Sequence, residues 1–217
     1  MSTRYNPSIV RDSLTLCLDG ANVKSYPGSG TTWTDISGED NNSTLTNGPT
    51  FSSDNSGIIV FDGTNDYVSS LNLSSFTNLT IQMWIYDTRA LSGQLDILTY
   101  NGNTSGGSYT FDTTRFRTDG NSNGGRAISL DTFNIIPQNK WYQFTYVKNG
   151  SLFINEREFS SASGSENTYG VLDIGRTRTH VNSHLNGRVS NVKVYDRGLT
   201  ALEVRQNYNA LKGRFGL

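Results

Sequence analysis

With 217 residues and a formal net charge of -1, the chain has the length of one well-filled β-domain, because all-β sandwiches routinely reach this size undivided. Its Lys and Arg are scattered, not gathered into the basic face or stripe of a nucleic-acid binder, so nucleic acid is excluded as an expected partner. Cys17 is the single cysteine, which excludes an intrachain disulfide and a thiolate metal cluster and casts it as a small buried hydrophobe.

The first strand signal is Leu14 to Leu18, followed by a Gly-rich connection through Tyr26, Gly28, Gly30 and Trp33 to Asp35. Ile58 to Phe61 and Tyr67 to Val68 read as strands broken by Asp62-Gly63-Thr64-Asn65, a turn chemistry that tolerates positive φ. In Leu79 to Tyr86, the residues Leu79, Ile81, Met83 and Ile85 alternate with Thr80, Gln82, Trp84 and Tyr86, which marks one face as core. Trp141 to Val147 alternates likewise, and Lys148-Asn149-Gly150 turns it into Ser151 to Asn155, so these two strands are expected to pair as a hairpin.

Val171 to Ile174 and Arg188 to Tyr195 supply the last strands. The period then changes. Thr200 stands at an N-cap with Glu203 three residues on, Leu199 is placed to meet Val204 as a hydrophobic staple, and a short helix is expected to run to about Leu211 and stop at Gly213. The stretches Gly102 to Ser108, Asp119 to Gly125 and Ser160 to Asn167 read as loops. Short β-rich runs between Gly, Asn, Asp and Ser clusters predict an antiparallel sandwich. The expected organisation is an arm over 1–12, the sandwich over 13–211 and a tail over 212–217.

Met1 to Val10 is polar and lacks the apolar run and cleavage site of a signal peptide, and no stretch approaches the roughly 20 apolar residues of a membrane span. A soluble product made in the cytoplasm, with no membrane insertion, is expected. The surface is rich in Asn, Ser, Thr, Gly and Tyr, which offer neutral hydrogen bonds and flat stacking faces that suit sugars or other proteins.

The order of elements resembles the laminin G-like, concanavalin A-like jelly roll. Phe61 to Val68 is similar to that family's early FDG-x-x-DYV element, Leu79 to Ile85 to its LTI-x-x-W strand, and Trp141-Tyr142 to Asn155 to its WY hairpin. Leu172 to Arg176 and Leu185 to Thr200 are similar to its closing IGR and NGRI patterns. The resemblance implies an all-β, antiparallel two-sheet jelly-roll sandwich with one short C-terminal helix. More narrowly, Leu18 to Asp35 and Gln206 to Phe215 resemble laminin G-like proteins of tailed bacteriophages, those of cyanophages closest, in which the domain is associated with exposed virion parts such as capsid decorations, head fibres and tail fibres.

Three groups of residues are candidate sites. Trp33, Tyr67, Tyr86, Tyr100 and Tyr109 could stack on glycan rings or, as aromatics of a sandwich often do, fill its core. Asp62, Asn65 and Asp66 could offer oxygens to Ca²⁺, the one cofactor considered, and their alternative role is an Asx-turn that fixes the loop. Lys212, Arg214 and Phe215 could anchor on a partner, or Phe215 could fold back and seal its own core.

Catalysis has weaker footing. Hydrolysis of glycosides needs two carboxyl groups about 5 to 10 Å apart across the bond, and the E-x-D-x-x-E strand motif of the concanavalin A-like hydrolases is missing. Glu156 and Glu158 are the nearest substitutes and sit at or just after a turn. His180 and His184 have an i, i+4 spacing that would bind zinc on a helix, yet their segment reads as loop. The expected function is a non-enzymatic virion surface structural protein, a capsid decoration or head fibre with weak glycan binding. The alternatives are a tail-fibre receptor-binding module and a polysaccharide-degrading enzyme. Expected partners are other virion proteins, host-surface glycans and further copies of the chain, and the expected location is the virion surface after assembly in the host cytoplasm.

Overall fold

The computed structural model describes residues 7–88, 95–100, 107–111, 115–119, 126–129, 139–148, 151–160, 170–176 and 184–217. The strands are β1 (Leu14–Asp19), β2 (Thr32–Trp33), β3 (Ser43–Thr46), β4 (Thr50–Ser52), β5 (Ile58–Asp62), β6 (Tyr67–Asn72), β7 (Thr80–Asp87) and β8 (Leu95–Tyr100). They continue with β9 (Gly107–Phe111), β10 (Arg115–Asp119), β11 (Arg126–Ser129), β12 (Trp141–Val147), β13 (Ser151–Ile154), β14 (Arg157–Ser160), β15 (Val171–Ile174) and β16 (Asn186–Tyr195). Helix α1 (Ala201–Leu211) follows, and a 3-10 turn spans Lys212–Phe215.

The strands form two antiparallel sheets. Sheet A runs β14-β13-β12-β7-β16-β5-β4, with β1 also on β16, and sheet B runs β11-β10-β9-β8-β15-β6-β3-β2. The alternating residues read from the sequence meet between them: Leu79, Ile81, Met83 and Ile85 of the β7 segment pack with Tyr142, Phe144 and Tyr146 of β12, Val192 and Val194 of β16, and Val68, Leu172 and Ile174 of sheet B. The hairpin of β12 and β13 pairs Phe144 with Ile154 and Tyr146 with Leu152, as expected, while the turn residues 149–150 lie outside the described residues.

The other face of sheet A is not open to solvent. Thr80, Gln82, Trp84, Gln143 and Thr145 are all buried, because α1, the turn after it and residues 8–10 lie across them as a third layer. Thr200 caps α1 in a full capping box with Glu203, and Leu199 and Val204 share one apolar cluster with Val10, Leu14, Cys17 and Phe153. The helix ends at Leu211 as expected, but Gly213 does not stop the chain there. Gly213 sits inside the 3-10 turn, and Gly216 at φ 73 is the left-handed residue that ends it.

The 212–217 segment is part of this layer. Phe215 is 9% exposed and stacks on Trp84 with ring centroids 4.2 Å apart, with Trp141 at 4.7 Å. Arg214 donates to Asn55 O and Gly57 O at 2.7 Å, to Ser190 Oγ at 2.6 Å and to Asp19 Oδ1 at 2.7 Å. It fills the place where β16 changes partner: residues 186–189 pair with β5 and 191–195 with β1, either side of a bulge. Gly57 makes that junction possible, since a Cβ on it would lie 2.1 Å from the Gly20 carbonyl oxygen. The free anchor expected of Arg214 and Phe215 is therefore corrected to the fold-back alternative, with both side chains spent inside the molecule. Lys212 lies over the Tyr208 ring at 5.4 Å.

On the N-terminal side, Val10 N donates to Asn207 Oδ1 at 2.8 Å, Asn207 Nδ2 to the Tyr195 hydroxyl at 2.9 Å, and that hydroxyl to Val10 O at 3.1 Å. This closed ring of three bonds ties the arm, β16 and α1 together, and it satisfies the Val10 N–H and C=O, the Asn207 carboxamide and the Tyr195 hydroxyl at once.

Candidate functional site

The polar outer face of sheet B carries the candidate site. In the pleat, Val68, Leu172 and Ile174 point to the core, so their neighbours Tyr67, Ser69 and Asp173 point outward. Register places Thr44, Ser69 and Asp173 in one row across β3, β6 and β15, with Thr46 opposite Tyr67. β15 then ends at Gly175, whose φ of 88 and close approach to the Phe61 ring leave no room for a side chain. That bend delivers Arg176 over Tyr67, its guanidinium carbon 3.4 Å from the ring centroid. Arg176 also grips Asp173, with Nε and NH2 at 2.8 and 2.7 Å from Oδ2. Its NH1 has no partner among the described residues, and its side chain is 24% exposed while that of Asp173 is fully covered.

The product is a rigid polar plate: a buried carboxylate, a guanidinium fixed flat by the ring below it, and hydroxyls of Thr44 and Ser69 beside it. A guanidinium held this way gives directed N–H donors at little further entropic cost. Such a plate suits a polyhydroxylated ligand. It also changes the role of Tyr67, because Arg176 occupies the ring face on which a sugar was expected to stack.

Next to the plate lies the Asp62 to Asp66 turn. Asp62 Oδ1 accepts from Thr64 N at 2.7 Å and Asn65 N at 3.4 Å, and Asp66 Oδ2 accepts from Asp62 N at 3.0 Å. These bonds hold the Asp62 carboxyl below the usual carboxylate range, whereas burial pushes that of Asp66 up. The Asn65 carbonyl accepts from Asn47 Nδ2 at 2.9 Å. Calcium needs six to eight oxygens turned toward it. Here Asp62 Oδ1, the Asn65 carbonyl oxygen and Asp66 Oδ2 are taken up by N–H groups. These bonds are those of an Asx-turn, the alternative role named for the three residues.

The five candidate aromatics do not form one platform. Trp33 is 0% exposed and belongs to the core between the sheets, so it cannot meet a sugar. Tyr86 lies on sheet A, edge-on to Trp141 at 5.7 Å and with Arg188 over its ring at 5.0 Å. Tyr100 and Tyr109 belong to β8 and β9 of sheet B, and their side chains lie outside the described residues. His180 lies outside them too, whereas His184 bridges Arg176 through the backbone at the edge of the plate. Glu158 stands within β14 and accepts from Ser151 Oγ, while Glu156 in the turn before it lies 3.3 Å from Arg205.

Arg176 and Asp173 escaped sequence reading as site residues. The outward position of Asp173 between Leu172 and Ile174 was a usable signal for an acid on the sheet surface. The stacking of Arg176 on Tyr67 was not legible, because it depends on β15 lying beside β6, strands about a hundred residues apart in the chain.

The sequence model described as the concanavalin A-like lectin/glucanases superfamily matches residues 62–205. No curated protein matches the sequence. Among solved structures, the fold is similar to a Trypanosoma rangeli sialidase in complex with sialic acid, with a TM-score of 0.68 and 12% identity over 93% of this chain and 33% of that one. It is similar to the binding domain of Paraclostridial Mosquitocidal Protein 1, with a TM-score of 0.67 and 21% identity over 92% of this chain and 52% of that one. The receptor binding domain of botulinum neurotoxin type G gives a TM-score of 0.65 and 16% identity over 91% and 51%. The chain thus spans about a third of the sialidase and about half of each toxin domain, and at these identities the likeness is one of fold.

Proposed function

The chain belongs to the concanavalin A-like lectin/glucanases superfamily, and we propose that it is a non-catalytic glycan-binding module carried on the surface of a tailed-bacteriophage particle. The observation that carries the glycan half is the Arg176 guanidinium, locked between Tyr67 and Asp173, whose NH1 has no partner among the described residues. The non-catalytic half draws support from Glu156 and Glu158, which are engaged by Arg205 and Ser151 at the β13–β14 hairpin instead of facing each other across a cleft. The particle surface is supported by the resemblance of Leu18 to Asp35 and Gln206 to Phe215 to laminin G-like phage proteins.

A glycan array probed with the wild type and with Arg176→Gln, which keeps a donor for Asp173, tests the binding. The wild type is expected to hold a defined set of glycans and the variant to lose at least ten-fold in affinity for them. Equal binding by the two proteins, or none by the wild type, contradicts the reading. Immunogold labelling of particles tests the location, and particles that carry no label contradict it.

A further inference from the structure

Beneath the C-terminal layer, six side chains form a buried patch on the outer face of sheet A. Register places Lys193, Gln82 and Thr145 in one row across β16, β7 and β12, and Asn191, Trp84 and Gln143 in the next. All six are at most 1% exposed. For a surface roofed by Tyr208 and Phe215, which stack on Trp84, this is an unusual concentration of polar groups, and their mutual bonds do not satisfy them. Gln82 Nε2 donates to Gln143 Oε1 at 3.2 Å and to Thr145 Oγ1 at 2.9 Å, while Gln82 Oε1, Gln143 Nε2 and Trp84 Nε1 have no partner among the described residues. Exchanging oxygen and nitrogen in both carboxamides leaves the same count of one spare donor and one spare acceptor.

Charge is the sharper problem. Lys193 Nζ donates to Asn191 Oδ1 and forms no ion pair among the described residues. Asp19 is the one carboxylate that draws on its charge, and Asp19 is already committed to Arg214 at 2.7 Å. Cys17 stands opposite Lys193 in the β1–β16 register, but burial pushes its thiol up, so it brings no negative charge at neutral pH. Burial pulls the Lys193 ammonium down to about 8. Two cations and one anion therefore share this region, and an uncompensated charge out of water is costly.

We propose that the patch binds one small inorganic anion of the halide class, held by Lys193, Gln143 and Trp84 beneath the α1 layer. The anion neutralises the ammonium and accepts from the spare N–H groups, two tasks of which an ordered water performs only the second. Because the layer covers the patch, the anion enters as the C-terminal segment docks, and binding adds to folding stability by mass action.

The full chain is melted in sodium chloride, sodium bromide and sodium fluoride at one ionic strength, beside Lys193→Met and Gln143→Leu, and the wild type is crystallised in bromide. A saturable rise in Tm with bromide or chloride over fluoride is expected for the wild type, roughly 3–6 °C at ten times the Kd. The rise is expected to vanish in whichever of the two variants folds, and an anomalous bromide peak is expected beside Lys193. A halide response shared by wild type and variant, or a map with water alone at Lys193, overturns the proposal.

Discussion

Arg214 shows how one side chain can fix a junction between strands. Its guanidinium meets two backbone carbonyls, a hydroxyl and a carboxylate where β1 gives way to β5 along β16, so its loss leaves several partners unmatched in a poorly hydrated place. Arg214→Ala is expected to cost roughly 2–4 kcal/mol, the range for removing one member of a covered charged network, and chemical denaturation measures it. Arg214→Lys should recover only part, since an ammonium cannot reproduce the fork. In the proposed function, the plate on sheet B obeys the same logic with a glycan as the partner. Its Tyr67 was legible in the sequence as an aromatic beside a turn, but its working group, Arg176, was not. The same limit applies to Trp33: composition marked it as a stacking aromatic or a core residue, and only the packing decides for the core.

Among the elements, α1 was the most legible, because a capping box and a staple are local codes that need no knowledge of the rest of the chain. Glu203 bonds Arg197, Thr200 N and Thr200 Oγ1, which hold its carboxyl at about 2 against an ordinary 4.5. The carboxyl takes up its proton less readily folded than unfolded, so its contribution is whole above 4.5 and is lost as pH falls toward 2. Wild type should accordingly lose more Tm than Glu203→Gln between pH 6 and pH 3, measured by circular dichroism, and Thr200→Ala should cost about 1 kcal/mol at neutral pH. The central strands β7 and β12 of sheet A were legible for a related reason, since large apolar residues alternate in them without interruption. β2 to β4 and β8 to β11 were not. They are two to six residues long, too short for an alternation to stand out from the turn-rich stretches around them. The stretches read as loops from Gly102, Asp119 and Ser160 accordingly overlap the ends of β9, β10 and β14. The role of 212–217 also depended on packing. Deleting Lys212 to Leu217 removes Phe215 from Trp84 and Arg214 from its junction, and a large fall in Tm is expected where a free tail would give none.

At the scale of the whole molecule, the two sheets have different outer faces. Sheet A is roofed by α1, the turn after it and the arm at Val10, whereas the plate of Thr44, Ser69, Asp173 and Arg176 lies on the opposite sheet. The layer over sheet A stabilises, and the face of sheet B is the one proposed to meet a ligand. The turn beside that face holds itself by N–H bonds, so chelation should leave Tm unchanged, and a fall on adding EDTA that calcium reverses would show that the turn holds metal after all. Incubation with bacterial exopolysaccharide, alginate or β-glucans should release no new reducing ends. The central claim is that glycan is met at the Arg176 plate, and amide chemical-shift mapping by NMR, with the best array ligand titrated into labelled full-length protein, tests it most directly. The account predicts that the largest shifts fall on residues 44–46, 67–69 and 173–176. Shifts concentrated instead around Tyr86, Trp141 and α1 would contradict it.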